Sequence, residues 1–448
     1  MTQAKTNPPI DSTRAIQQTT GLTRDQIKAG YEAVRRQSET LCAPLAPEDH
    51  VIQTAESVSP AKWHLAHVSW FFERFILHDH VPGYEPYHPQ YYYLFNSYYN
   101  AVGPQHCRPN RGLISRPTVQ QVHDYRQHVD QQMHALIDRC DEAQLRQLQP
   151  LITIGLNHEQ QHQELLLTDM KHIFSTNPLL PAYKPATFPT HDEPAPASWV
   201  RFEEGIYHIG LPADTDRFCF DNETPRHRVF LEPFEIASRP VTNGEFMRFI
   251  EDGGYQRHDL WLSLGWATVN EQQWTHPIYW YKDPEQGDQW MHYTLAGPQP
   301  VDPAEPVCHL SFFEAEAFAR WAGARLPSEF EWEVAMADQP VAGQFVEQKR
   351  YHPAPIEAHE RGNEPTAKLQ RAFGDVWEWT GSQYRPYPGY APLPGALGEY
   401  NGKFMCNQFV LRGGACSTPQ SHIRLTYRNF FEPADRWQFT GLRLARNV

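Results

Sequence analysis

The feature that most constrains how this chain folds is a single change of pattern partway along it. Up to about Thr176 the apolar residues recur with a helical period. Beyond Ser198 they come in short alternating runs, such as GIYHIGL and RVFLEPFEIA, broken by Gly and Pro turns. Between the two, Thr176–Ser198 (TNPLLPAYKPATFPTHDEPAPAS) holds six prolines and reads as a linker. At 448 residues the chain is long enough for two or three domains, so a multidomain protein is expected, first α and then α+β.

Within the N-terminal region four helices are expected. Leu22–Cys42 has Thr23 as a cap. A second helix starts at Ser59-Pro60 and runs to about His78, with serine capping and proline in the first helical position. A third opens near Pro117-Thr118 and ends near Cys140, and a fourth spans Glu142 to about Phe174. A tyrosine-rich stretch, PYHPQYYYLFNSYYNAVGP, connects the second to the third. Four helices with one long connection fit an antiparallel bundle, a frame that commonly builds metal sites between facing helices. In the C-terminal region a clear helix is expected at Ser311–Gly323.

The net charge of -14 argues against nonspecific nucleic-acid binding or an anionic membrane surface. No apolar run approaches the ~18 residues a membrane span needs, and the opening Met1–Ser12 is polar. Seven Cys, an odd number without CxxC pairs, point to a reducing compartment, and a cytoplasmic location is expected.

Among 23 His, the segment NHEQQHQEL (157–165) stands out. His158 and His162 are four apart and share one helical face, so they can hold one ion. The second helix adds WHLAH, from which either His64 or His67 reaches across a bundle; spacing does not choose between them. The same residues match the zinc-protease pattern HExxH, with Glu159 as a general base, and Glu164 is a further carboxylate nearby. On residues alone a zinc hydrolase, a redox enzyme, a structural zinc site and ordinary helix-surface histidines all stay open.

Beyond WHLAH and HEQQHQEL, the C-terminal region carries an ordered set of segments. They are RHRVFLEPFEIASRPVTNGEF (226–246), HLSFFEAEAFARWAGARLPSEFEWEVA (309–335), GDVWEWTGSQYRPYPGY (374–390), LRGGACST (411–418) and TYRNFFEPADRWQFTGLRLAR (426–446). Together these motifs make the chain resemble the iron-dependent sulfoxide synthases of ergothioneine biosynthesis. That resemblance implies a DinB-like four-helix bundle over 20–180 carrying iron ligands and a Pro-rich linker over 181–198. A domain similar to the formylglycine-generating enzyme (C-type-lectin-like, mixed α and β) would follow over 199–448 and complete the active-site cleft. Formylglycine generators carry a reactive Cys pair after RGG; here only Cys416 follows, so sulfatase activation is not expected.

The resemblance implies Fe(2+) held by His67, His158 and His162, which selects His67 over His64. Three neutral imidazoles leave positions open for a thiolate, O2 and water. It implies a reaction of hercynine, cysteine and O2 to hercynylcysteine sulfoxide, with no nucleic acid, membrane or obligate protein partner. By the same resemblance Gln161 and Asn429 meet the hercynine imidazole, while Arg108 and Arg111 grip the carboxylate of the thiol substrate. Phe430, Phe431 and Trp437 are candidates for the trimethylammonium group. Tyr98 and Tyr99 are the expected proton donors, and Tyr384 and Tyr387 are the competing pair. Relatives that use γ-glutamylcysteine read RNWD where this chain has Arg428-Asn429-Phe430-Phe431. Loss of that aspartate favours free cysteine. The alternatives are γ-glutamylcysteine itself, or a histidine-using, ovothiol-type reaction.

Overall fold

A computed structural model describes residues 11–284, 287–356 and 369–448. The polar opening stretch thus lies almost entirely outside the described residues. The chain divides into two compact units, Met1–Leu166 with Asp214–Phe218, and Leu167–Ala213 with Cys219–Val448.

Four long helices make up most of the first unit: Arg24–Cys42, Ala61–Phe72, Val119–Arg139 and Glu142–Ser175, the last running on past the division at Leu166. Two of them start on the same local device. The Thr23 hydroxyl accepts the N–H of Gln26 while the Gln26 side chain accepts the N–H of Thr23, and Thr118 and Gln121 repeat the exchange. Each exchange satisfies two backbone donors that a helix start leaves open. The start of Ala61–Phe72 differs from expectation. Pro60, in extended conformation (ψ 143°), is itself the cap and offers no side-chain bond. The Ser59 hydroxyl is drawn away because it accepts from Arg111 Nη1 at 2.9 Å.

All twelve residues of Ala61–Phe72 are buried, polar ones included. The helix continues as a π-helical turn, Glu73–Leu77, before ending at His80. Such turns are rare and concentrate near functional sites. Gly155, on the helix Glu142–Ser175, lets the Phe72 ring approach: a Cβ there would lie 2.6 Å from Phe72 Cε1.

Among the described residues the second unit holds four small sheets. The run RVFLEPFEIA divides at Glu232-Pro233, since proline cannot donate to a ladder. His227–Leu231 pairs antiparallel with Gly205–Ile209, whereas Phe234–Ala237 lies between Trp199–Phe202 and Ala445–Asn447. A four-stranded sheet runs in the order Asn429–Phe431, Phe409–Arg412, Trp377–Gln383, Thr440–Leu442. The helix expected at Ser311–Gly323 spans Phe312–Trp321, capped by Ser311.

Several marker segments serve this core. Glu378 of the WEW run is buried against Arg443 at 2.8 Å and accepts from Trp332 Nε1 at 2.7 Å. The proline-rich segment read as a linker is fastened along this unit. Lys184 N–H donates to the Leu295 carbonyl, Gln299 donates to the Ala186 carbonyl, and His191 pairs with Asp302 at 2.7 Å. Its prolines have no N–H to give, so the segment is held by the N–H groups of the residues between them and by donors from the unit to its carbonyls. No helix of the described residues is long and apolar enough to cross a membrane.

Candidate metal centre

Three imidazoles meet in the first unit. His67 stands on Ala61–Phe72, and His158 and His162, one turn apart, on Glu142–Ser175. One ring nitrogen from each lies within 4.8 Å of the other two. His67 Nε2 and His158 Nε2 are 3.2 Å apart. Nitrogens sharing one ion at about 2.1 Å stand roughly 3.0–3.4 Å from each other, so the observed separation fits joint ligation.

A backbone contact decides which His67 nitrogen faces the centre. His67 Nδ1 lies 2.6 Å from the Phe95 carbonyl, so this nitrogen carries the proton and Nε2 remains as the ligand atom. His64 stands to one side, its Nδ1 2.9 Å from His162 Nδ1. Aromatic rings wall the site: Trp63 stacks on His67 at 4.6 Å and Phe71 on His158 at 4.4 Å. Burial, reinforced by mutual repulsion, holds His67 and His162 well below the usual imidazole range, and burial takes His158 down to about 3. All three are therefore neutral near pH 7, the form that binds a metal.

Glu159 is not disposed as the HExxH pattern would have it. Its carboxylate is fully buried, bonded to Arg35 Nη1 at 2.9 Å, Arg126 Nη2 at 2.6 Å and the Ser38 hydroxyl at 2.6 Å. Burial alone would raise its pKa, but the two guanidiniums outweigh that and hold it at about 2. A carboxylate so enclosed is a poor proton acceptor for a water on the metal. No motif marks Arg35 and Arg126, but the sequence does carry a signal for them. Each interrupts the apolar stripe of its helix, Arg35 beside Tyr31 and Val34, and Arg126 between Tyr125 and Val129.

Arg111 belongs to the same neighbourhood, since its charge contributes to lowering both His67 and His162. Its guanidinium lies 3.4 Å over the Trp63 ring and donates to Ser59 and Ser97. Arg108 is exposed and donates to the Ser57 carbonyl. Tyr99 is fully buried, 5.7 Å from Trp70, the indole that stacks on His67, and Tyr98 stacks on Tyr99 at 4.6 Å. Asn96 pins this loop by accepting the Tyr99 N–H and donating to the carbonyls of Tyr99 and Gly103. Phe95 and Asn96 carry no sequence signal, because one acts through its backbone and the other through a local turn. Gln161 is half-buried, and Glu164 is buried.

The remaining expected residues lie in the second unit. Tyr384 and Tyr387 are buried with their hydroxyls engaged. Asn222 donates to Tyr384 at 2.8 Å, and Arg412 donates to Tyr387 at 3.2 Å. Phe430 stacks on Tyr384 at 4.1 Å. Phe431 meets Trp437 edge-on at 5.8 Å, and the Trp437 indole donates to Asp169. Asn429 is half-buried, and its side chain accepts the N–H of Phe430.

Comparison with known proteins divides the chain similarly. Residues 31–166 match the DinB superfamily, and residues 184–448 match the sulfatase-modifying factor enzyme 1-like domain. The hercynine oxygenase of Mycobacterium tuberculosis is 30% identical over 415 residues, 87% of this chain and 92% of that protein. That of Mycolicibacterium thermoresistibile is 31% identical over 423 residues, covering 87% and 88%. That of Mycolicibacterium smegmatis is 34% identical over 324 residues, covering 65% and 71%. With a DinB-superfamily region followed by a sulfatase-modifying-factor-like domain, and with this likeness along most of its length, the chain belongs to the hercynine oxygenase family.

Proposed function

We propose that this protein is a non-haem iron(II), O2-dependent sulfoxide synthase that joins hercynine and cysteine into hercynylcysteine sulfoxide, in the biosynthesis of ergothioneine. What carries the reading is the convergence of three neutral, metal-spaced imidazoles in a chain of the hercynine oxygenase family. The reaction balances without another reductant. The imidazole C–H and the thiol S–H are lost, a C–S bond and an S=O bond form, and the second oxygen atom leaves as water.

In this reading His67, His158 and His162 hold the iron. When bound, the iron supplies the centre at which O2 takes up its four electrons. The protein's role is to hold hercynine and thiol in reacting positions, largely a matter of orientation. Arg111, with Arg108 beside it in sequence, is assigned to the thiol substrate's carboxylate, for which the planar guanidinium fork is suited. Gln161 and Asn429 are assigned to the hercynine imidazole. Phe430, Phe431 and Trp437 are assigned to the trimethylammonium group, for which aromatic faces are suited. Tyr98 and Tyr99 are assigned as proton donors, with Tyr384 and Tyr387 as the competing pair. Phe431 presents no acceptor to an ammonium group, which favours free cysteine over γ-glutamylcysteine.

The test is metal analysis of protein purified without air, with O2 uptake and product mass measured in hercynine and cysteine. Iron content and turnover should be lost together in His67→Ala. Stoichiometric zinc with no O2 uptake would sink the reading, and a clear preference for the dipeptide donor would sink the cysteine assignment.

A further inference from the structure

A second cluster of metal-binding side chains lies in the second unit, apart from the reaction assigned above. We propose that His292, Glu305 and His352 form a structural site for zinc. His292 stands on the strand Gln289–Thr294, Glu305 in the turn after the strand Gly297–Pro300, and His352 in a loop some fifty residues on. One donor atom from each lies within 4.8 Å of the others, as at the first centre. All three are buried: their relative exposures are 6%, 1% and 3%. Glu305 Oε2 lies 2.9 Å from His352 Nε2, and the two imidazoles meet edge-on with centroids 4.8 Å apart.

Room beside the cluster fits an occupant. His292 and His352 line a small cavity of about 10 Å³ together with Lys171, Cys308 and His309. That is room for one water. A tetrahedral ion on three protein ligands has one position left, for which a water beside the two imidazoles is suited.

The donor set excludes the hard cations and fits a borderline first-row ion, of which zinc suits a site with no redox role. Calcium and magnesium call for several oxygens, whereas two imidazoles and one carboxylate suit zinc. Net charge alone would not hold a cation here. Arg350 donates to the other Glu305 oxygen at 2.5 Å, and Lys171 donates to His309 Nε2 at 2.7 Å. Both are cationic side chains, so retention has to come from coordinate bonds. Arg350 has a positive use, because it fixes the glutamate in the manner of the outer partners of known zinc ligands. With space for one water and no substrate, the ion ties three separate segments of the unit together.

The test uses the full chain with His67, His158 and His162 all changed to alanine, equilibrated with zinc and then freed of excess. One zinc per chain should remain, and cobalt in its place should give the visible absorption of a tetrahedral centre. Adding His292→Gln or Glu305→Gln should abolish both. Should those variants fold poorly, anomalous scattering at the zinc edge from zinc-soaked wild-type crystals decides independently, with a peak expected among the three side chains. No retained zinc in the triple variant, or no peak there, would overturn the proposal and leave an ordinary His–Glu–Arg hydrogen-bond network.

Discussion

Replacing Glu159 separates a structural carboxylate from a catalytic one. In Glu159→Ala the Arg126 guanidinium loses its 2.6 Å partner and keeps the Arg35 carbonyl at 2.8 Å and, as its remaining carboxylate, Glu39 at 3.6 Å, whose side chain is 53% exposed. Arg35 fares better, because it retains Asp130 at 2.7 Å. The cost is therefore chiefly one buried guanidinium left poorly compensated, about 3–5 kcal/mol for breaking such a pair. For a domain of this size that corresponds to a fall in melting temperature of roughly 6–20 °C. Glu159→Gln keeps hydrogen-bond acceptance at one oxygen and should fall nearer the lower end. Thermal unfolding followed by circular dichroism, with metal content and turnover measured on the same samples, reads both roles. The expected result is a less stable protein whose folded fraction still binds metal and turns over. Wild-type stability with turnover abolished in the glutamine variant would refute the reasoning and restore Glu159 as a base.

Three further outcomes follow from the structure. Asn96→Ala should weaken metal binding by roughly 10–100-fold in chelator competition, because the loop that offers the Phe95 carbonyl to His67 loses its three bonds; unchanged affinity would count against that role. Gly155→Ala should cost about 1–3 kcal/mol in denaturant unfolding, since its Cβ meets a Phe72 ring with no room to move, and Phe72→Leu should recover some of the loss. Burial alone would raise the Glu329 carboxyl, yet Arg428 and Arg412 outweigh it and hold the pKa below the ordinary 4.5. Its stabilisation is thus complete above the unfolded-state pKa and is lost as pH falls below it. The acid limb of the wild-type urea midpoint should therefore flatten in Glu329→Gln, and an identical limb in both proteins would contradict the pairing.

Helix positions were largely legible because their signals are local. Thr23, Thr118 and Ser311 each find their partner three residues on, so the cap is written in adjacent sequence. Ser59 misled for the opposite reason: its hydroxyl goes to Arg111, fifty-two residues away. The proline-rich segment looked like a linker because composition records the missing N–H groups. It does not record the distant side chains that bind the carbonyls.

For the candidate metal centre, the sequence by itself determined that His158 and His162 share a helical face, since four residues is one turn. Family resemblance singled out His67. The tertiary structure alone decided the rest: that the Phe95 carbonyl aims Nε2 of His67 at the other two rings, that His64 stands aside against His162, and that Glu159 turns to two arginines. A repeat along a helix fixes which side chains are neighbours on it. Which of them faces a metal, and which faces a buried cation, is fixed only when other segments supply the partners.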